Sequence, residues 1–156
     1  MPELLAIQKE AYQTEARTYD NYSLSPLMET LDDMRTAAKH SVILKAEIGG
    51  VPAGSVRCKL NGTICEIGRL SVKPAYQRQG IGSALLRACE TVFAEAQTCE
   101  LFTGSRSAAN IKLYESHGYR RTIKERIVSP KMTLVYLSKQ TPRAKRADPP
   151  PPAATS

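Results

Sequence analysis

The sequence predicts a mixed α+β domain: a central, mostly antiparallel sheet containing one parallel pair, with helices on both faces. Three observations carry that reading. Residues 2–38 repeat apolar side chains at helical spacing. Residues 41–72 hold three strand-like runs separated by Gly49-Gly50 and Asn61-Gly62, two hairpin turn signals, which makes an antiparallel meander. Residues 63–103 then read strand, helix, strand, and a helical crossover joins parallel neighbours.

Each element follows from local chemistry. Leu4, Leu5, Ile7, Ala11, Tyr12 and Ala16 predict a first helix over 2–19. Ser25-Pro26 interrupts it, because proline biases its predecessor away from helix. Leu27, Leu31 and Met34 predict a second helix over roughly 27–38. Strands are expected at 41–48, 51–60 and 63–72. A loop at 73–82 leads into a helix over about 82–97, with the stripe Ile81, Leu85, Leu86, Cys89, Phe93. Residues 100–103 form a short strand. A helix starting at Ala108 or Asn110 runs to about His117, and Gly118 reads as its left-handed cap. Residues 119–127 and 132–137 form a last hairpin around Ser129-Pro130. From Gln140 the chain turns basic and Pro-rich, with almost nothing to bury, so 140–156 is expected to be disordered.

Composition narrows the function. The chain has 156 residues, enough for one domain with a single core. No run approaches the ~18 apolar residues of a membrane helix, and the start lacks a basic-then-apolar leader. Cys58, Cys65, Cys89 and Cys99 show no CxxC spacing, so they read as reduced, buried thiols of a cytoplasmic protein with no metal site. Net charge is +7 and uneven. Residues 1–38 hold three Lys/Arg against seven Asp/Glu, a balance of −4 that leaves +11 on the remainder. A basic body suits a polyanionic ligand, and an acidic arm suits a cationic one. Nucleic acid is not expected, since no basic run interleaves with aromatics and the chain has no Trp and two Phe.

The most informative stretch runs from Arg69 to Leu86. The loop Gln77-Arg78-Gln79-Gly80-Ile81-Gly82 opens a helix. Backbone N–H groups and the positive helix end there make a receptor for a diphosphate. The pattern Gln77-x-x-Gly80-x-Gly82, after a strand ending in Val72 and a proline at 74, resembles the acetyl-coenzyme A loop of the GNAT superfamily of N-acetyltransferases. Members often carry Gly where this chain has Arg78. A second segment, Leu101 to Tyr119, resembles the other half of the family's cofactor site. It reads Asn110-x-x-x-Tyr114, then Gly118-Tyr119. The resemblance covers roughly 40–139, with weaker support from 2–39. Members usually begin with a strand; here Met1 falls almost at the first helix, so that strand is absent or the true start lies upstream.

The resemblance implies a GNAT fold over 1–139, with 1–39 as an arm covering the acceptor and 40–139 as the acetyl-CoA-binding core. The third and fourth strands splay apart, and the pantetheine arm pairs near Leu70, Ser71 and Val72. A bulge is expected at Gly68. The diphosphate sits on N–H groups of Gln79, Gly80, Ile81 and Gly82, with Gln77, Arg78, Lys73 and Ser83 around it, and Asn110 and Tyr114 complete the cofactor site. Direct transfer to an amine follows, without a cysteine acyl-enzyme. Tyr114 is the implied acid for the departing thiolate, the Leu70 N–H the oxyanion donor, and Glu66 the implied base, sharing a face with Gly68 and Leu70 by alternation. His117 reads as structural. Tyr12, Tyr19 and Tyr22 interleave with Glu15, Asp20, Glu29, Asp32 and Asp33, which points to a small cationic amine as acceptor. A protein N-terminus or lysine, or a non-catalytic acyl-CoA sensor, are the alternatives. Homodimers are common in the family.

Overall fold

The computed structural model describes residues 1–142. Most of the segment expected to be disordered lies outside the described residues. Its expected boundary moves, however. The last strand continues through Gln140. Thr141 is buried, donating through Oγ1 to the Ala96 carbonyl and through N–H to Gln97.

The elements run α1 (Pro2–Ala11), α2 (Gln13–Tyr19), α3 (Ser25–Met28), α4 (Leu31–Ala37), β1 (Val42–Ile48), β2 (Val51–Asn61), β3 (Ile64–Val72), α5 (Ile81–Val92), β4 (Thr98–Gly104), α6 (Ala108–Ser116), β5 (Arg120–Ser129) and β6 (Met132–Gln140). The six strands form one sheet in the order β1-β2-β3-β4-β6-β5. All neighbours are antiparallel except β3 and β4.

That parallel pair covers only Ile64↔Thr98, Cys65↔Cys99 and Glu66↔Glu100. Beyond Glu66 the strands part, leaving Ile67–Val72 without a partner on the β4 side. The expected splay is therefore present, and it opens the middle of the sheet. The expected bulge falls one residue later than Gly68. Ser55 pairs with Ser71 and Arg57 with Gly68, so β3 spends one extra residue opposite Val56. Arg69 takes up the bend at φ 54°, a left-handed conformation unusual for a residue with a Cβ.

Two cores lie on opposite faces, and β6 shows it directly. Val135 and Leu137 join the larger cluster with Val56, Leu85 and Leu86, while Leu134 and Tyr136 join Tyr19, Leu24 and Met132. Alternation along one strand separates the two faces. Val56, Leu86, Val135 and Leu137 are fully buried, each worth ~1.5–3 kcal/mol relative to exposure. The four cysteines are buried and free.

The helical arm departs from expectation. The first helix is broken at Tyr12, whose ψ of −2° loosens one turn. The second is broken at Glu29, which is extended at ψ 132°. Thr30 then restarts a helix through a capping box, its side chain accepting from the Asp33 N–H while the Asp33 carboxylate accepts from the Thr30 N–H. Helix α5 ends five residues early. The chain bends at Phe93 to bring Gln97 against Thr63 and enter β4 beside β3.

Candidate active site

The gap between β3 and β4 opens into two adjoining cavities. The first, about 660 Å³, runs from the start of α5 toward the arm. Gly80 caps α5 at φ 79°, and no side chain hydrogen-bonds the cap. The first-turn N–H groups of a helix have no partners within it, so the twelve-residue α5 presents donors and its positive dipole end to this cavity. Arg78 also sits at positive φ, 64°. A glycine takes that conformation without strain, which accounts for the glycine that the resemblance leads one to expect there. Gly82 lines the cavity too, and a Cβ there would press on Leu113 at 3.3 Å, so its smallness also lets α5 approach α6.

Of the residues expected to hold the cofactor, Leu70, Val72, Gln77, Arg78, Gly80, Ile81, Gly82, Ser83 and Asn110 line this one cavity. The geometry suits a long anionic ligand: an uncapped helix end at one extremity and free strand edge at the other. Of the other expected residues, Ser71, Lys73, Gln79 and Tyr114 are not on its wall. Ser71 turns inward, fully buried, and its hydroxyl donates to the Arg69 carbonyl. Gln79 is exposed and off the wall. His117 keeps a structural role, its Nε2 2.9 Å from Ser83 Oγ. Burial lowers its pKa despite the nearby Glu90 charge.

The second cavity, about 380 Å³, is bounded by Leu24, Arg57, Arg69, Leu101, Tyr114, Arg126 and Leu134, among others. Four residues belong to both cavities: Tyr12, Glu15, Leu70 and Asn110. Tyr114 is buried here, its ring edge-on to Tyr119. Burial pushes its pKa well above the ordinary tyrosine value, with Tyr12 and Glu15 adding to the effect. It therefore remains a hydroxyl donor. Burial likewise pushes the Tyr12 phenol up to about 12, against the opposing charges of Arg69 and Arg57.

Sequence reasoning passed over Glu15 as a reacting group. Its carboxylate stands at the junction, and a chain of hydrogen bonds fixes it there. The Arg106 N–H donates to the Tyr19 hydroxyl at 3.0 Å. Ser107 Oγ donates to Glu15 Oε2 at 2.6 Å, so the Tyr19 O–H donates to Ser107 Oγ at 2.7 Å. Asn110 Nδ2 donates to Thr103 Oγ1 at 3.2 Å and reaches Glu15 Oε1 at 3.5 Å. A Cβ at Gly104 would overlap the Tyr19 ring, so that glycine makes the docking possible. The only available signal was Tyr12 and Glu15 lying three apart on one helical face.

Glu66 is not brought to this junction. It lines a third cavity of about 500 Å³ and lies beside Lys59 (3.9 Å) and Asn61 (3.5 Å) at the hairpin. The bulge is the reason. An extra residue cancels the two-residue alternation that would have put Glu66 and Leu70 on one face, and Leu70 packs instead against the core cluster of Ile67.

The acidic arm is mostly neutralised within the protein. Asp20 pairs with Lys131 at 2.7 Å, Asp32 with Arg35, and Asp33 caps α4. Tyr19 is a core residue and Tyr22 is exposed. Glu29 is buried and accepts two hydrogen bonds from Arg57, both 3.0 Å, and one from Gln8 at 2.7 Å. Burial would raise its pKa, but bonds to Arg57 and Gln8 and the charges of Arg57 and Arg69 outweigh that and lower it. Of the eight arm residues singled out by their type, Tyr12 and Glu15 face the cavities.

Solved structures share this fold. The ribosomal-protein-S18-alanine N-acetyltransferase of Escherichia coli superposes with a TM-score of 0.68 at 19% identity, over 89% of this chain and 86% of its own. A ribosomal-protein-alanine N-acetyltransferase from Brucella melitensis gives 0.70 at 20%, over 89% and 93%. The PaiA N-acetyltransferase of Thermoplasma acidophilum, solved in complex with coenzyme A, gives 0.67 at 17%, over 88% and 90%. At these identities the three speak for the fold. No curated protein sequence matches. The profile of the acetyltransferase (GNAT) family matches residues 1–119. Since that span takes in both the helix-opening loop at Gly80 and the helix bearing Asn110 and Tyr114, the chain belongs to the acetyltransferase (GNAT) family.

Proposed function

We propose that this protein transfers the acetyl group of acetyl-CoA directly to a primary amine at the junction of the two cavities. The carrying observation is that Tyr12, Glu15, Leu70 and Asn110 border both a cofactor-sized cavity and a smaller one beside Tyr114. Acetyl-CoA supplies an activated acyl thioester; the chain supplies position and proton movement. The α5 end and Arg78 receive the diphosphate. The unpaired β3 edge at Leu70–Val72 receives the pantetheine arm, in the manner of an added strand.

Glu15 acts as the base. An alkylamine has a pKa near ~10.4, so about one molecule in 10³ is neutral at pH 7. A carboxylate oriented by Ser107 and Asn110 takes the surplus proton, directly or through water. The Leu70 N–H donates to the thioester oxygen as it gains charge. Tyr114 donates its proton toward the leaving sulfur. Thiolates of pKa near ~8.5 leave fairly well unaided, so Tyr114 contributes at the lower end of the ~10²–10⁴-fold range for such groups.

The small cationic acceptor loses part of its support, because of the arm carboxylates singled out by type only Glu15 lines the cavities to meet an ammonium. That ammonium is the reacting group itself. A cytoplasmic location rests on the four reduced thiols. Thiol release from acetyl-CoA with a panel of amines, amino acids and peptides tests the reading. Wild type should release thiol; Tyr114→Phe and Glu15→Gln should lose turnover with cofactor affinity retained, and Glu66→Gln should stay near wild type. Coenzyme A binding without thiol release from any acceptor would leave a sensor in place of an enzyme. Loss of turnover in Glu66→Gln alone would return the base to that residue.

A further inference from the structure

The acceptor cavity carries more positive charge than its surroundings cancel. Arg57 gives both Nη groups to Glu29 at 3.0 Å. The same carboxylate lies 3.6 Å from Arg69 Nε, so one anion serves two guanidinium groups. Arg69 donates through Nη2 to Ser25 Oγ at 2.9 Å, a neutral acceptor. Arg126 makes no ion pair among the described residues and lies 6.0 Å from the Phe102 ring centre. All three arginines line the cavity, and Glu15 is the sole carboxylate on its wall. The remaining wall is largely apolar, including Leu24, Leu101, Val128, Met132 and Leu134.

Resting on the acyl-transfer reading above, we propose that the acceptor is a free amino acid with an apolar side chain, its amine at Glu15 and its carboxylate received by Arg69 and Arg126. A dication or polyamine would bring like charge against two uncancelled guanidinium groups. A zwitterion fits both ends: its ammonium meets the one carboxylate, and its carboxylate meets planar donors suited to bidentate pairing. The apolar wall takes the side chain. Arg69 is moreover held at φ 54° by the β3 bulge. A non-glycine residue kept in that conformation beside a cavity is the kind of strain that persists where a side chain has to be aimed.

Leucine serves as the probe. By calorimetry, N-acetyl-leucine should bind the protein–coenzyme A complex about 10–100-fold more tightly than N-acetyl-leucinamide, the range one charge-assisted hydrogen bond supplies. In thiol release, kcat/KM for leucine should exceed that for leucinamide and 3-methylbutylamine by a similar factor. Arg69→Gln and Arg126→Gln should each collapse the ratio while acetyl-CoA affinity holds. Arg69 is tied to Glu29, so Arg126→Gln, on an exposed stretch of β5, keeps the test open if Arg69→Gln fails to fold. Equal binding of acid and amide, a preference for 3-methylbutylamine, or a ratio that survives in Arg126→Gln would overturn the proposal. If no amine releases thiol, the acyl-transfer reading falls, and the calorimetric pair alone upholds or overturns the anion preference.

Discussion

The two cavities that meet at Glu15 are built by different means. The cofactor cavity is largely main chain: an uncapped helix end, two left-handed residues at 78 and 80, and a strand edge left unpaired by the splay. Most of its binding groups fall between residues 70 and 83. The acceptor cavity is made of side chains from the arm, β2, β3, β4, α6 and the last hairpin. Its key groups are held by long-range contacts, such as Glu15 to Ser107 and Glu29 to Arg57. A site of backbone donors tolerates changes in side chain. A site of networked side chains does not, and on the proposed reading that is where acceptor selectivity resides.

The largest expected effect sharpens this contrast. Glu15→Gln should cut kcat by about 10²–10⁴-fold while calorimetry finds acetyl-CoA affinity nearly unchanged. An equal fall in both would break the separation between the cavities. Glu29→Ala comes next. It leaves Arg57 and Arg69 without their carboxylate, and loss of one buried partner costs about 3–5 kcal/mol, readable in urea unfolding. This effect has a pH sign. The folded protein holds Glu29 below the ordinary glutamate value of about 4.3. Its contribution is complete above that value and is lost as pH falls through the depressed folded pKa, so wild type and variant should converge in acid and differ fully at pH 7.

Gly104→Ala should cost about 1–3 kcal/mol, the usual range for overpacking. By displacing Tyr19 it should also loosen Glu15 and lower turnover, again with cofactor affinity kept. The smallest effect is expected at Arg78→Gly. Glycine relieves the left-handed strain but loses entropy on folding, so stability should rise by less than about 1 kcal/mol. Loss of one exposed cation should weaken acetyl-CoA binding by only a few-fold, and less so in high salt. A large loss there would show that a side chain, and not the main chain, dominates the cradle.

Legibility followed the same division. The meander was readable because Gly49-Gly50 and Asn61-Gly62 mark turns locally, and the cradle because Gly80 at a helix start has one conformational meaning. Thr30-x-x-Asp33 was a local signal as well, and it would have placed the break between α3 and α4. Glu66 misled because two-residue alternation was carried across a bulge that only the pairing with β2 reveals. The arm acids misled because composition counts charges without showing which are already paired.

The sequence by itself determined the strand order of the meander, the crossover, the thiol burial and the helix-end receptor, since each depends on residues within about one element of each other. Tertiary structure alone decided that Glu15 stands at the junction, that Arg69 bends β3, and that Asp20 and Glu29 are occupied. Those outcomes depend on contacts between residues from about ten to more than a hundred positions apart, such as Arg57 with Gly68, Glu29 with Arg57 and Asp20 with Lys131. No local pattern encodes such distances; they exist only once the sheet has splayed and the arm has closed over it.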